Sequence, residues 1–207
     1  PVTHSFRMKK SGIWETNDPH ASGQVLDDMG ALADAISTLH DGQRIVAVGN
    51  CLTGSFPLAL IARPSVKTAV LCQPALPLKS PAEVLLRLPQ SREKQQSLAI
   101  PPEKLNKSLR ALHDPSKRLY GFHYQEDPLA SFDKFVTLHD KLEEQGLGGK
   151  FRPVVLEPAN SPHTHTWWTR MNTHLKKGRI TPHVTVTGGE EVDRTPLRKL
   201  FDRMIRP

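Results

Sequence analysis

The sequence predicts an α/β domain built on a mostly parallel sheet flanked by helices. Three observations point there. Short apolar runs at 45–48, 68–71, 118–123 and 151–156 have the length of strands buried on both faces. Segments with apolar residues at helical intervals separate them, which is the alternation of a parallel sheet. The chain is also large enough for one substantial core: 207 residues, 37% hydrophobic and 24% charged.

Each element follows in order. Gln24 to His40 places Val25, Met29, Leu32, Ala33, Ile36 and Leu39 at helical spacing, and Asp41-Gly42 ends the helix. Ile45 to Val48 is the next strand. A helix is expected from Phe56 to Ala62, with a kink where Pro57 removes a backbone donor. Thr68 to Leu71 is a second buried strand, closed by Cys72-Gln73-Pro74. Residues 75–118, rich in Pro, Ser, Lys and Gln, read as a lid or surface insertion with short helices, one near Glu103 to His113. A third strand (Arg118 to His123), a helix (Ser131 to Gln145) and a fourth strand (Phe151 to Leu156) follow. Val184 to Thr187 and a last helix from about Thr195 to Arg206 complete a single domain over 1–207. No internal repeat is found.

Charge and cysteine usage narrow the function classes. The formal charge of +7 invites a nucleic-acid reading. Arg92, Lys94, Lys104, Lys107, Arg110, Lys117 and Arg118 are, however, interleaved with Glu93, Glu103 and Asp114, the pattern of a solvated face. No zinc-finger, RRM-like or basic-zipper motif accompanies them. The expected partner is a small molecule, with a bias toward anionic ones, and neither nucleic acid nor membrane. No stretch reaches the roughly 18–20 apolar residues of a span, and two cysteines make no disulfide framework. A cytoplasmic monomer or homodimer is the expectation.

The chemistry concentrates at Gly49-Asn50-Cys51-Leu52-Thr53-Gly54. A strand that breaks at glycine, then a lone nucleophile between small residues, is the pattern of a nucleophile elbow, whose turn forces a strained backbone. A thiol at the start of a helix would gain thiolate character from the N–H groups and dipole there. Other owners of the stretch fail. Ser55 stands where a phosphate-binding loop needs Lys, and Pro57 where a phosphatase loop needs Arg. A glutamine amidotransferase would have Glu two residues after its histidine, where His183 is followed by Val184 and Thr185.

In parallel sheets the site lies at the carboxyl ends of the strands. The third strand ends in Tyr124-Gln125-Glu126-Asp127-Pro128, so Asp127 is the candidate acid and Glu126 its reserve. The bland role for Asp127 is a cap of the following turn. His163, His165, His174 and His183 come after the fourth strand. His183, in Thr181-Pro182-His183-Val184, best fits a base on a loop before the final helix; His163 and His165 stay open, and His174 reads as structural. His163-Thr164-His165 has a zinc-compatible spacing but lacks further ligands, so no metal and no cofactor is expected.

These residues resemble the dienelactone hydrolase family, cysteine hydrolases of the α/β-hydrolase fold. Gly49-x-Cys51-x-Thr53-Gly54 matches the family's G-x-C-x-G-G elbow with Thr53 in place of one glycine, and VLCQPALP (70–77), Asp127-Pro128 and His183 with VTVT extend the likeness. The resemblance implies an α/β-hydrolase-like fold. It implies hydrolysis of a lactone or carboxylic ester by Cys51 as nucleophile, His183 as base and Asp127 as orienting acid, with the Leu52 backbone N–H in the oxyanion hole. Only about forty residues precede the elbow strand, fewer than the family's first strands need, so the sheet is expected to lack N-terminal strands. An inactive α/β-hydrolase-like binding or scaffold protein is the alternative.

Overall fold

The structure, a computed structural model, describes residues 23–124, 127, 129–151 and 153–156. Four strands, β1 (Ile45–Asn50), β2 (Val66–Cys72), β3 (Arg118–Tyr124) and β4 (Pro153–Leu156), form one sheet in the order β1-β2-β3-β4. Every neighbouring pair is parallel. The helices in the connections are α1 (Gly23–Leu39), α2 (Phe56–Leu60), α3 (Pro81–Leu85), α4 (Arg92–Gln96), α5 (Pro102–Ala111) and α6 (Asp133–Glu143). The α/β architecture is therefore the one the alternation of strands and helices predicts. The expected Val184–Thr187 segment and the last helix lie outside the described residues.

Strands β2 and β3 are the inner pair of the described sheet. Ala69, Val70, Leu71 and Cys72 have no exposed surface, as a run with no polar alternation requires when helices cover both faces. The core gathers Phe56, Leu58 and Ile61 around α2, Leu109 and Leu112 at α5, and Phe135, Leu138 and Leu142 on α6. The second half of the 75–118 stretch belongs to this core through Leu98, Ile100, Leu109 and Leu112. Its first half carries the exposed Leu85, Leu86 and Leu88.

Three local expectations change. Helix α1 buries Leu26, Gly30, Ala33 and Ser37 and packs Val25 and Met29 against the core, but leaves Leu32 60% and Leu39 80% exposed. Polar pairs flank this face. Asp34 accepts Arg63 Nη1 at 3.2 Å and Ser65 Oγ at 2.6 Å, and the Arg63 guanidinium fills the space a Cβ on Gly30 would need. Pro57 does not kink α2: the helix starts at Phe56, so the proline sits in the first turn, where no intrahelical acceptor awaits its missing N–H. Lys117 is no part of a solvated face. It is buried, and its Nζ donates to the carbonyls of Ile61, Arg63 and Val66 at 2.7–2.9 Å, tying the end of α2 and the start of β2 to the loop before β3.

Candidate active site at the carboxyl edge of the sheet

The register aligns the strand ends. Asn50 of β1 lies opposite Cys72 of β2, and Cys72 opposite Phe122 of β3. The residues that follow, Cys51, Gln73 and Asp127, therefore lie past the carboxyl ends of the strands, along one edge of the sheet.

Cys51 follows β1 directly, half-buried, with φ +58°. A side chain in this left-handed region is strained, by roughly 1–3 kcal/mol, and persists only where its surroundings dictate the turn. The neighbours explain how. A Cβ on Gly49 would lie 2.0 Å from the Thr53 carbonyl oxygen and 2.6 Å from Pro57 Cδ. A Cβ on Gly54 would lie 2.5 Å from Pro74 Cα and 2.8 Å from the Cys72 carbonyl oxygen. Both contacts are with backbone or proline ring, which cannot step aside. The sequence pattern of small residues around one thiol thus corresponds to a steric requirement at each position.

Thr53, the departure from a second glycine, closes the elbow. Its hydroxyl accepts the Asn50 N–H at 3.2 Å and donates to the Asn50 carbonyl at 3.1 Å. Residues Cys51–Thr53 form one 3-10 turn, the Gly54 N–H bonds the Cys51 carbonyl, and α2 begins only at Phe56. The thiol therefore does not sit at the start of a continuous helix as expected: a three-residue turn and a separate five-residue helix align too few peptide units to sum to an appreciable macrodipole.

The second cysteine is a contrasting case. Cys72 is fully buried, and desolvation pushes its thiol up to about 12. The two cysteines are not bridged to one another.

Asp127 lies past the end of β3. Its Oδ1 accepts the backbone N–H groups of Leu129 (2.9 Å) and Ala130 (3.1 Å), the local turn cap that an Asp at such a position readily makes. Its Oδ2 accepts a hydrogen bond from Gln73 Nε2. Gln73 itself is buried, has φ +46°, and extends the β2–β3 ladder by donating its N–H to the Phe122 carbonyl at 2.9 Å. Two residues on, the Ala75 N–H donates to the Cys51 carbonyl at 2.9 Å. The turn after β2 is therefore bonded to the elbow on one side and to Asp127 on the other. Sequence reasoning overlooked Gln73. The signal was a lone polar residue closing the apolar run TAVLC immediately before a proline.

The remaining predicted residues, Glu126, His163, His165, His174 and His183, lie outside the described residues. One described histidine, His123, is buried on β3 with its ring 5.3 Å from that of Phe132 and 6.1 Å from that of Phe135, a packing environment. Among the described residues no group of three or more His, Cys, Asp or Glu side chains is placed to hold a metal. No described helix is long and apolar enough to cross a membrane.

No family model and no curated protein matches the chain. Among solved structures it is similar to one described as "Putative Dienelactone Hydrolase" from Klebsiella pneumoniae subsp. pneumoniae, at 19% identity and a TM-score of 0.43. The likeness covers 73% of this chain and 60% of that one, so the chain spans less than two thirds of the length of the structure it matches.

Proposed function

We propose that the protein hydrolyses a carboxylic ester or lactone through a covalent Cys51 acyl-enzyme. The observation that carries this reading is the left-handed backbone of Cys51 between positions 49 and 54, where no side chain larger than glycine's fits. Strain of this kind at a nucleophile-capable residue, on the carboxyl edge of a parallel sheet, is the geometry of a nucleophile elbow.

The chemistry runs in two halves. An imidazole, His183 by chain order and resemblance, takes the Cys51 proton. The sulfur attacks the carbonyl carbon, and the negative charge on the carbonyl oxygen is met by the Leu52 N–H; one such donor typically contributes roughly 3–4 kcal/mol. Collapse of the tetrahedral intermediate breaks the C–O bond. The leaving oxygen takes the proton from the imidazolium, and a thioester remains. A water molecule, deprotonated by the same imidazole, then releases the carboxylic acid and restores the thiol. Asp127 orients the imidazole and stabilises its charged form. Nothing in this sequence calls for a metal or cofactor.

Hydrolysis of p-nitrophenyl acetate by the wild type, by Cys51→Ala and by His183→Ala tests the reading. Loss of turnover in both variants is expected. Undiminished activity in Cys51→Ala would refute it, and activity lost only on replacing His163 or His165 would move the base to that residue. The second reading, an inactive relative serving as a binding or scaffold protein, is favoured by β1 lying at the edge of the described sheet with Val48 43% exposed. It predicts that iodoacetamide modifies Cys51 at neutral pH no faster than it modifies an ordinary exposed cysteine.

A further inference from the structure

We propose that Gln73 is a positioning residue, which fixes the Asp127 carboxylate relative to the nucleophile turn; the claim rests on the hydrolase reading above. Two contacts place it. Gln73 Nε2 donates to Asp127 Oδ2, whereas the two backbone donors of Leu129 and Ala130 reach only Oδ1. The local turn therefore anchors one oxygen, and Gln73 fixes the rotation of the carboxyl group about that anchor. Gln73 is also the residue whose neighbourhood touches the elbow: its backbone N–H is bonded to the Phe122 carbonyl, and Ala75, two residues on, donates to the Cys51 carbonyl. A single short turn thereby sets the distance between the thiol's backbone and the acid.

The conformation of Gln73 supports a role beyond packing. With φ +46°, position 73 would be most comfortable as glycine or asparagine. A glutamine there is strained and buried, and it spends its amide on a carboxylate 54 residues away in the chain. For a residue that serves only the fold, glycine would relieve the strain and remove a polar group from the interior. A residue that must hold an acid in one orientation has a reason to remain.

A double-mutant cycle on kcat/KM for p-nitrophenyl acetate tests the proposal. Gln73→Met keeps the length of the side chain and removes the donor. It is expected to lower kcat/KM about tenfold in the wild-type background and less than twofold when Asp127 is already Asn, since residues acting through one another are not additive. Equal losses in both backgrounds would overturn the proposal, because a packing defect does not depend on the charge of residue 127. Gln73→Glu, nearly isosteric, serves if the Met variant does not fold; it replaces the donor by a like charge and should give the same non-additivity.

A separate readout keeps the two readings apart. If the wild type shows no Cys51-dependent turnover, the hydrolase reading fails and the carboxyl-carbon NMR titration of Asp127, assigned by its loss in Asp127→Asn, decides the role of Gln73. Removing a hydrogen bond to the ionised carboxylate favours its protonated form, so Gln73→Met should move the midpoint to higher pH. An unmoved midpoint would overturn the proposal.

Discussion

Replacing Cys51 by glycine should stabilise the protein relative to replacing it by alanine. Both changes remove the sulfur and its packing, so their difference isolates the Cβ at position 51. At an ordinary position Gly is less stable than Ala by roughly 0.5–1 kcal/mol, because the glycine chain loses more freedom on folding. At φ +58° the order reverses. A Cβ in the left-handed region meets its own carbonyl at a cost of roughly 1–2 kcal/mol, which glycine does not incur. The two terms oppose each other, and the net expectation is Cys51→Gly more stable than Cys51→Ala by about 0.5–1 kcal/mol. In a domain of this size that corresponds to a difference of about 1–4 °C in Tm. Urea unfolding followed by circular dichroism, with equal m-values in the two variants, measures it. Alanine more stable than glycine by about 0.5 kcal/mol or more would mean an ordinary backbone at position 51, and the proposal of a nucleophile elbow there would go with it.

Three further outcomes follow from the same geometry. Iodoacetamide applied to the native protein at pH 7 should label Cys51 and spare Cys72, whose thiol is fully buried and pushed up to about 12; peptide mass spectrometry showing equal labelling would contradict the burial of β2 inside the sheet. Gly54→Ala should destabilise by about 1–3 kcal/mol, toward the upper end, since the new Cβ would meet Pro74 Cα and the Cys72 carbonyl and both are backbone; a near-neutral variant in urea unfolding would show that the turn after β2 does not press on the turn at Cys51. Lys134 on α6 has no exposed surface, donates to the carbonyls of Lys94 and Ser97 at 2.7 Å each, and is lowered to about 7 by desolvation, with Asp133 acting in the opposite direction. Its folded form then binds fewer protons than its unfolded form between about pH 7 and the ordinary lysine value near 10.4, so stability should rise with pH through that window, by something on the order of 2 kcal/mol from pH 7 to 9. Lys134→Met should lack this rise, and parallel pH profiles for wild type and variant would contradict it.

The alternation of apolar runs with helical periodicity was enough to specify a parallel α/β sheet, because burial on both faces and right spacing are local properties of a chain. The tight turn at Cys51 was legible for the same reason: two glycines flanking a thiol within six residues define their own turn. Asp127 was legible as a position, the first carboxylate past the third strand within the described residues, but not as a partner.

What only the folded chain decided are the contacts made at long range. The bond from Gln73 to Asp127 joins residues 54 positions apart, and the clash that forbids a side chain at Gly54 comes from Pro74, on the next strand's exit. On α1 the periodicity identified Ala33, Val25 and Met29 as core-facing but not that Leu32, Ile36 and Leu39 stay exposed, and the charge of Lys117 was read as solvated because its three carbonyl acceptors lie about fifty residues earlier. Hydrophobic periodicity reports how a segment meets water. It carries no information on which polar group, arriving from another strand, will satisfy a buried donor, and that pairing is what the tertiary structure supplies.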